Sequence, residues 1–228
     1  MTEILDVPAA GSEPAAPSQP GRRRKTNRRE QQRGIETRRT ILEAALVEFA
    51  ERGFDGASTR RIGERAGLEH TLITYHYRNK EALWRAVAEY AFDQIMAAWD
   101  DAMPPLSKMT AAQRLRAEFR AFLQFTTNHS AFHHFMLREN QVNSPRLTWL
   151  IENVVSRTRD RVMPHIRAAQ ADGELIQADP DLIYYMLIGM TSAPSSLHGE
   201  MAATIGFSLE DANRIEEYWQ LIERSIFK

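Results

Sequence analysis

Residues 58–83 read STRRIGERAGLEHTLITYHYRNKEAL, and their spacing predicts two short helices around a glycine turn. Ser58 can cap the first helix through its hydroxyl, Ile62 and Ala66 fall four apart on one face, and Gly67 supplies the permissive backbone that ends it. The second helix is predicted from about Glu69 to Tyr77. At about 100° per residue, His70, Thr71, Thr74 and Tyr75 gather on one half of it, while Leu72, Ile73, His76 and Tyr77 fall on the other. A helix of barely two turns has little reason to present such a polar and aromatic half unless something docks on it. By spacing alone, a solvated face on an ordinary helical hairpin accounts for the pattern equally well.

On the N-terminal side a helix is predicted from about Glu36 to Arg52, with Ile41, Leu42, Ala45, Leu46 and Phe49 as its apolar stripe. Gly53 ends it and Phe54 can fold back on the same core, so residues 35–80 form a three-helix unit. On the C-terminal side a long helix begins near Asn79 or Lys80. It carries Leu83, Trp84, Val87, Tyr90, Ala91, Phe92, Ile95, Met96 and Trp99 before Pro104 and Pro105 stop it. Further helices are expected at about 110–128, 131–141, 145–171 with a kink at Pro164, 180–198 and 208–226. Ser144-Pro145 and Asp179-Pro180 are helix starts with proline in the first position, and Ser208 with Asp211 resembles a capping box. No strand-like alternation flanked by hairpin turns is present, so the fold class is all-α. The helix at 180–198 is apolar nearly all round and must be covered on several sides. The last one shows a stripe of Ile215, Tyr218, Trp219, Ile222 and Ile226.

The chain has 228 residues, 43% of them hydrophobic, which is enough for one or two domains with a proper core. It has no Cys, which excludes disulfides, thiolate metal sites and thiol redox sensing. No apolar run approaches the length of a membrane span and the N-terminus lacks the apolar centre of a signal peptide. A soluble cytoplasmic protein without a membrane partner is therefore expected. The net charge of −1 is unevenly distributed: residues 21–80 hold 15 Lys or Arg against 8 Asp or Glu, and residues 81–228 hold 14 against 19. A basic front on an acidic body fits a protein that docks one end on a phosphate backbone. Residues 1–34 are expected to be a disordered basic arm. Their first twenty are rich in Ala, Pro, Ser and Gly, and Gly21–Gly34, GRRRKTNRREQQRG, contains seven Arg or Lys. The arm is either a solvated linker or a segment that follows DNA or enters a minor groove.

The stretch from Thr59 to Leu83 resembles the DNA-binding domain of the TetR family of bacterial transcriptional regulators. That family's pattern is a Thr-rich helix start, Ile-Ala-x-x-Ala-Gly-Val-Ser, a recognition helix ending in Tyr-Tyr-His-Phe, and Lys-Glu-x-Leu. The matching residues are Thr59, Ile62, Ala66, Gly67, Leu68, Tyr75, His76, Tyr77, Lys80, Glu81 and Leu83, with the spacing kept. The resemblance implies a helix-turn-helix domain over 35–80 and a helical effector-binding and dimerisation domain over 81–228. Thr59, Tyr75, His76 and Lys80 would then lie at phosphates and His70, Thr71 and Thr74 toward base edges, with Arg60 also among the DNA-binding candidates. His76 is equally compatible with packing, since it falls at the edge of the apolar half. Glu69 stands where the family usually has Ser, Thr71 and Thr74 where Gly and Tyr are common; Glu69 either caps the helix or accepts from a cytosine amino group. The implied partners are an operator in double-stranded DNA, a second copy of the chain paired through the last two long helices, and a small-molecule effector.

Between these regions lies a segment dense in aromatics. Ligand contacts are expected from Phe122, Phe125, His129, His133, Met136, Arg138 and Trp149, together with Tyr184; an ordinary helical core is the competing account for each. An apolar or aromatic effector suits the composition, with any anionic group held by Arg138 or a His. His129 and His133 are four apart, but two His supply half a tetrahedral set, so no metal and no cofactor are expected. Gly-x-Ser-x-Gly, phosphate-binding and dinucleotide glycine loops and His-Glu-x-x-His are absent, which argues against an enzyme. The reading is a ligand-responsive regulator, most simply a homodimeric repressor on a palindromic operator, released by its effector. The alternative is a sequence-tolerant DNA-coating protein without an effector.

Overall fold

Gly53 sets the first corner of the chain. Its backbone takes φ 69° and ψ 175° and interrupts helical geometry inside α1 (Gly21–Gly56), a conformation that a residue with a Cβ reaches only at a steric cost. The computed structural model describes residues 21–103 and 109–228, with side chains from Gln31 onward. The described residues up to Thr37 and those from Arg38 to Lys228 fall into separate units. In the first, the helix is already present at Gly21, where a disordered arm was expected through residue 34, and Gln32 donates to Glu36 at 3.2 Å. Between Arg22 and Arg33 the chain has neither Pro nor Gly and is mostly Arg, Lys, Gln and Glu, all good helix formers. The expected disorder of residues 1–20 falls outside the described residues.

The second unit contains the remainder of α1, then α2 (Thr59–Ala66), α3 (His70–His76), α4 (Lys80–Asp101), α5 (Ala111–Asn128), α6 (Ser130–Glu139) and α7 (Pro145–Leu150). A π-helical segment (Ile151–Val155) leads into α8 (Ser156–Ala171), followed by α9 (Pro180–Ser196), α10 (His198–Ile205) and α11 (Ala212–Ile226). Among the described residues there is no strand, only an isolated bridge between Leu175 and Phe227. The all-α expectation holds.

Caps explain most helix starts. Ser58 accepts from the Arg61 amide and Asn79 from the Ala82 amide, and Thr110 with Gln113 forms a reciprocal capping box. Ser144 and Asp179 cap helices whose first residue is proline. α11 departs from expectation: Asp211, not Ser208, accepts from the first amides of the helix, those of Asn213 and Arg214, while the Ser208 hydroxyl accepts from Glu210 in the preceding turn. The helix expected over 180–198 ends at Ser196, two residues past Pro194, and α10 follows as a separate element. α8 runs through Pro164, and the irregularity of this helical stretch lies upstream, in the π turn.

α5 packs against α4, α8 and α9, and its Leu115, Phe119, Phe122 and Leu123 are buried at the centre. α4 buries Leu83, Trp84, Val87, Phe92, Ile95 and Trp99 on one side, whereas Tyr90 reaches outward to donate to Glu43 at 3.0 Å. In α11, Trp219, Ile222 and Ile226 are buried within the subunit's own core. α9 buries Ile183, Tyr184 and Leu187 but leaves Leu182, Tyr185 and Met186 exposed. No helix among the described residues is long and apolar enough to cross a membrane.

Candidate functional site

The angle between α2 and α3 is fixed by backbone contacts. Gly67 takes φ 66°, its amide donates to the Glu64 carbonyl at 3.3 Å, and the Leu68 amide donates to Gly63 at 2.9 Å, the paired bonds of a Schellman turn. A Cβ on Gly63 would stand 2.8 Å from the Leu68 carbonyl oxygen and 3.3 Å from the amide nitrogen of His70, so α2 meets the start of α3 at backbone distance. Ile62 and Ile73 are buried beneath this corner. The opposite side of α3 is open: His70, Thr71, Thr74 and Tyr75 are all exposed, Tyr75 at 82%. The Thr74 hydroxyl donates to the Thr71 carbonyl at 2.8 Å, leaving its oxygen lone pairs and methyl group outward.

The remaining interface candidates differ in how committed they are. Glu69 stands at the N-cap of α3, but its carboxylate makes no cap bond. His76 is half-buried, between the rings of Tyr75 and Tyr77, and burial first, then the charge of Arg38, lowers its pKa, so the ring is neutral at pH 7. Thr59 is half-buried at the first position of α2, and Arg60 is exposed and paired with Glu64 at 3.2 Å. Lys80 donates to the carbonyls of Asp55 and Ala57 at 3.3 and 3.2 Å and lies 4.7 Å from the Phe54 ring; two of its three N–H bonds are directed at the protein. Arg78, exposed in the turn between α3 and α4, was not singled out by sequence pattern. The signal was there, as a cation immediately after the recognition helix.

The second unit also holds a half-open cavity of about 350 Å³. Phe122, His133, Met136 and Tyr184, four of the eight expected ligand contacts, line it. The other four lie elsewhere for identifiable reasons. Phe125 is buried and stacks on His129, whose Nδ1 lies 3.0 Å from the Phe125 carbonyl oxygen, so the two close the junction of α5 with α6. Trp149 packs edge-on against Trp84 with Arg85 over its ring. Arg138 donates through Nε to the Ala50 carbonyl and through Nη2 to the Glu51 carbonyl, at 2.5 and 2.6 Å. It thereby satisfies the free end of the α1 helix and faces away from the cavity. Lining residues missed in the sequence include Phe92, Ile95 and Trp99 of α4, and Ile151 and Val155 of the π turn. The α4 set was legible as an apolar face but not as a cavity wall, and the π turn carries no periodicity that distinguishes it from an α-helix. His133 is held at 2.5 Å from the Ser196 hydroxyl. Burial, followed by the neighbouring His134, pushes its pKa down to about 4, which leaves it neutral at pH 7.

α6 joins the two regions. It contributes His133, Met136 and Leu137 to the cavity, and its last turn holds Arg138 on α1. Next to Arg138, the buried carboxylate of Glu139 accepts from the Trp84 indole at 3.1 Å and from Arg146 at 2.9 Å, and the Arg146 guanidinium lies 4.4 Å from the Phe54 ring. Among the described residues no group of three or more His, Asp or Glu side chains is placed to hold a metal ion.

This architecture, a short helical pair with an outward-facing second helix on a larger helical body, is that of a helix-turn-helix transcriptional regulator. Residues 41–87 match the family model described as bacterial regulatory proteins, tetR family. The HTH-type transcriptional regulator BetI of Escherichia coli O139:H28 is 30% identical over 149 residues, covering 59% of this chain and 73% of BetI. RutR of Escherichia coli K12, also an HTH-type transcriptional regulator, is 24% identical over 194 residues, covering 84% and 89%. Among solved structures, AibR in complex with isovaleryl coenzyme A and operator DNA shares the fold with a TM-score of 0.67 at 20% identity, covering 84% of this chain and 98% of AibR. The chain belongs to the TetR family of transcriptional regulators.

Proposed function

We propose that the protein is a homodimeric repressor that grips a two-fold symmetric operator with α3 and releases it when a small molecule occupies the cavity. The carrying observation is that α4 and α6 each serve both regions. Phe92, Ile95 and Trp99 of α4 line the cavity, while the same helix begins at Lys80 beside the α3 surface; α6 lines the cavity and is bonded to α1 and Trp84. A change in α4 or α6 on filling the cavity would therefore reach α3. A coupling of about 1 to 3 kcal/mol is sufficient for regulation. AibR, solved in complex with isovaleryl coenzyme A and operator DNA, supports by analogy a chain that takes both a small molecule and an operator.

In this reading residues 35–80 bind DNA and residues 81–228 bind the effector and dimerise, with residues 1–34 as an accessory arm. His70, Thr71 and Thr74 read bases. Thr59, Arg60, Tyr75, His76 and Lys80, joined by Arg78, position the backbone; His76 acts as a neutral donor. The exposed Leu182, Tyr185 and Met186 of α9 and Leu221 of α11 are the apolar surface available for a second copy. Two recognition helices must lie about 34 to 36 Å apart to enter successive major grooves.

Selection of bound duplexes from random DNA, with sedimentation of the purified protein, tests this. A dimer and a symmetric consensus of two half-sites one turn apart are expected; a monomer with no enriched sequence refutes the proposal. Thr74→Ala should change the selected bases, whereas Tyr75→Ala should weaken all sequences alike. If the two phenotypes are exchanged, the split between reading and positioning residues is wrong.

A further inference from the structure

We infer that the compound this cavity takes is uncharged and largely hydrocarbon, and offers one oxygen to the hydroxyl of Tyr184. The inference rests on the effector reading of the cavity. No Lys, Arg, Asp or Glu occurs among the described residues that line it, and a carboxylate, phosphate or sulfonate placed there would lose its hydration without gaining a counter-charge. Arg138, the nearest candidate for such a counter-charge by sequence, is bonded to the Ala50 and Glu51 carbonyls. His133 does not replace it, since its Nε2 is engaged with Ser196 and burial keeps the ring neutral.

The polar groups in the wall are mostly committed to the protein. The Ser192 hydroxyl donates to the Ile188 carbonyl at 2.7 Å and the Thr158 hydroxyl to the Val155 carbonyl at 2.8 Å. Asn140 and Tyr185 lie exposed at the cavity's edge, and the indole N–H of Trp99 is buried without a partner among the described residues; the remaining exception is Tyr184. It is 2% exposed and lines the cavity, yet its hydroxyl has only a 3.5 Å contact with Thr158 Oγ1, well beyond a good O–H···O bond. Burial raises its pKa, so it remains a phenol with a proton to donate. An alcohol or ketone oxygen would satisfy it, and the surrounding Phe92, Phe122 and Phe132 rings would cover a hydrocarbon skeleton.

Two dyes that share a skeleton separate charge from shape: N-phenyl-1-naphthylamine and its sulfonated counterpart, 8-anilinonaphthalene-1-sulfonate. In fluorescence titrations of the 228-residue chain the neutral dye should bind one site per chain at least roughly tenfold more tightly. Ile188→Trp, which fills the wall from a half-buried position, should abolish that binding with the circular dichroism unchanged; Val155→Phe serves if the first variant does not fold. A sulfonate that binds as tightly, at a site closed by the same substitution, overturns the charge argument and leaves the effector reading standing. No binding of either dye, or binding that the filled cavity does not reduce, overturns both. 1-Decanol should displace the neutral dye where decanoate does not, and Tyr184→Phe should weaken decanol by about three- to tenfold. An unchanged decanol affinity in that variant overturns the oxygen contact.

Discussion

A single methyl group decides the geometry at Gly63. The family pattern carries Ala at this place, but here an added Cβ would meet the Leu68 carbonyl at 2.8 Å, and backbone cannot yield as a flexible side chain does. Gly63→Ala should therefore cost about 1 to 3 kcal/mol of stability and weaken operator binding by tilting α3, as read by melting temperature and by gel shift. At His133 the environment acts through protonation. Its folded-state pKa of about 4 lies below the ordinary value of 6.5, so the unfolded chain binds the proton more readily. The stability this neutral ring contributes is complete above pH 6.5 and lost as pH falls from there toward 4. Urea unfolding between pH 7 and pH 5 should show a loss of up to about 2 kcal/mol that His133→Gln removes; equal pH slopes in the two proteins would contradict the burial argument. Roles of this kind were unevenly legible in the sequence. Helical phase placed His70, Thr71, Thr74 and Tyr75 on one face, and they are exposed together. Phase could not tell that Arg138 faces α1, because that depends on where a distant helix ends.

Helix identity followed from caps and periodicity; helix continuity did not. Ser58, Ser144 and Asp179, each expected to start a helix, act as N-caps, since a short polar side chain before an apolar stripe has one obvious use. The π turn left no local mark in the sequence, whereas the helix at Gly21–Gly34 and the break after Ser196 had weak ones, a run of good helix formers and Pro194. α6 is the element whose role emerges only in three dimensions. Arg138 makes two charge-assisted bonds to the last carbonyls of the α1 helix before Gly53, so Arg138→Ala should release that end. A cost of about 1.5 to 3 kcal/mol is expected, seen as roughly tenfold or greater acceleration of amide exchange in residues 50–54. Unchanged exchange there would show that α6 does not restrain the DNA-binding helices.

For the whole molecule, charge asymmetry was the most direct statement the sequence made, and it concerns DNA rather than stability. The seven Arg or Lys of Gly21–Gly34 should each contribute to counterion release when near a phosphate, at a slope of about 0.9 per contact. Deleting residues 1–33 should weaken binding to every duplex and flatten the dependence of log affinity on log salt; an identical slope would remove the arm from the interface. Dimerisation belongs to this scale as well. The α11 stripe is largely used inside the subunit through Trp219, Ile222 and Ile226, so the proposed pairing of two copies through the last two long helices would use their opposite faces.

The π turn at Ile151–Val155 has a consequence for how the chain can change in length. Its closing bond runs from the Ser156 amide to the Ile151 carbonyl, five residues apart, so the turn accommodates one residue more than an α-helical turn while α7 and α8 keep their faces toward the core. Loss of a residue there would tighten the ladder without rotating its flanks; the same loss elsewhere in these helices would swing every following side chain by about 100°. Both ends of the turn, Ile151 and Val155, line the cavity. A lineage could thus remodel the chamber by a one-codon deletion and leave the scaffold around it in phase.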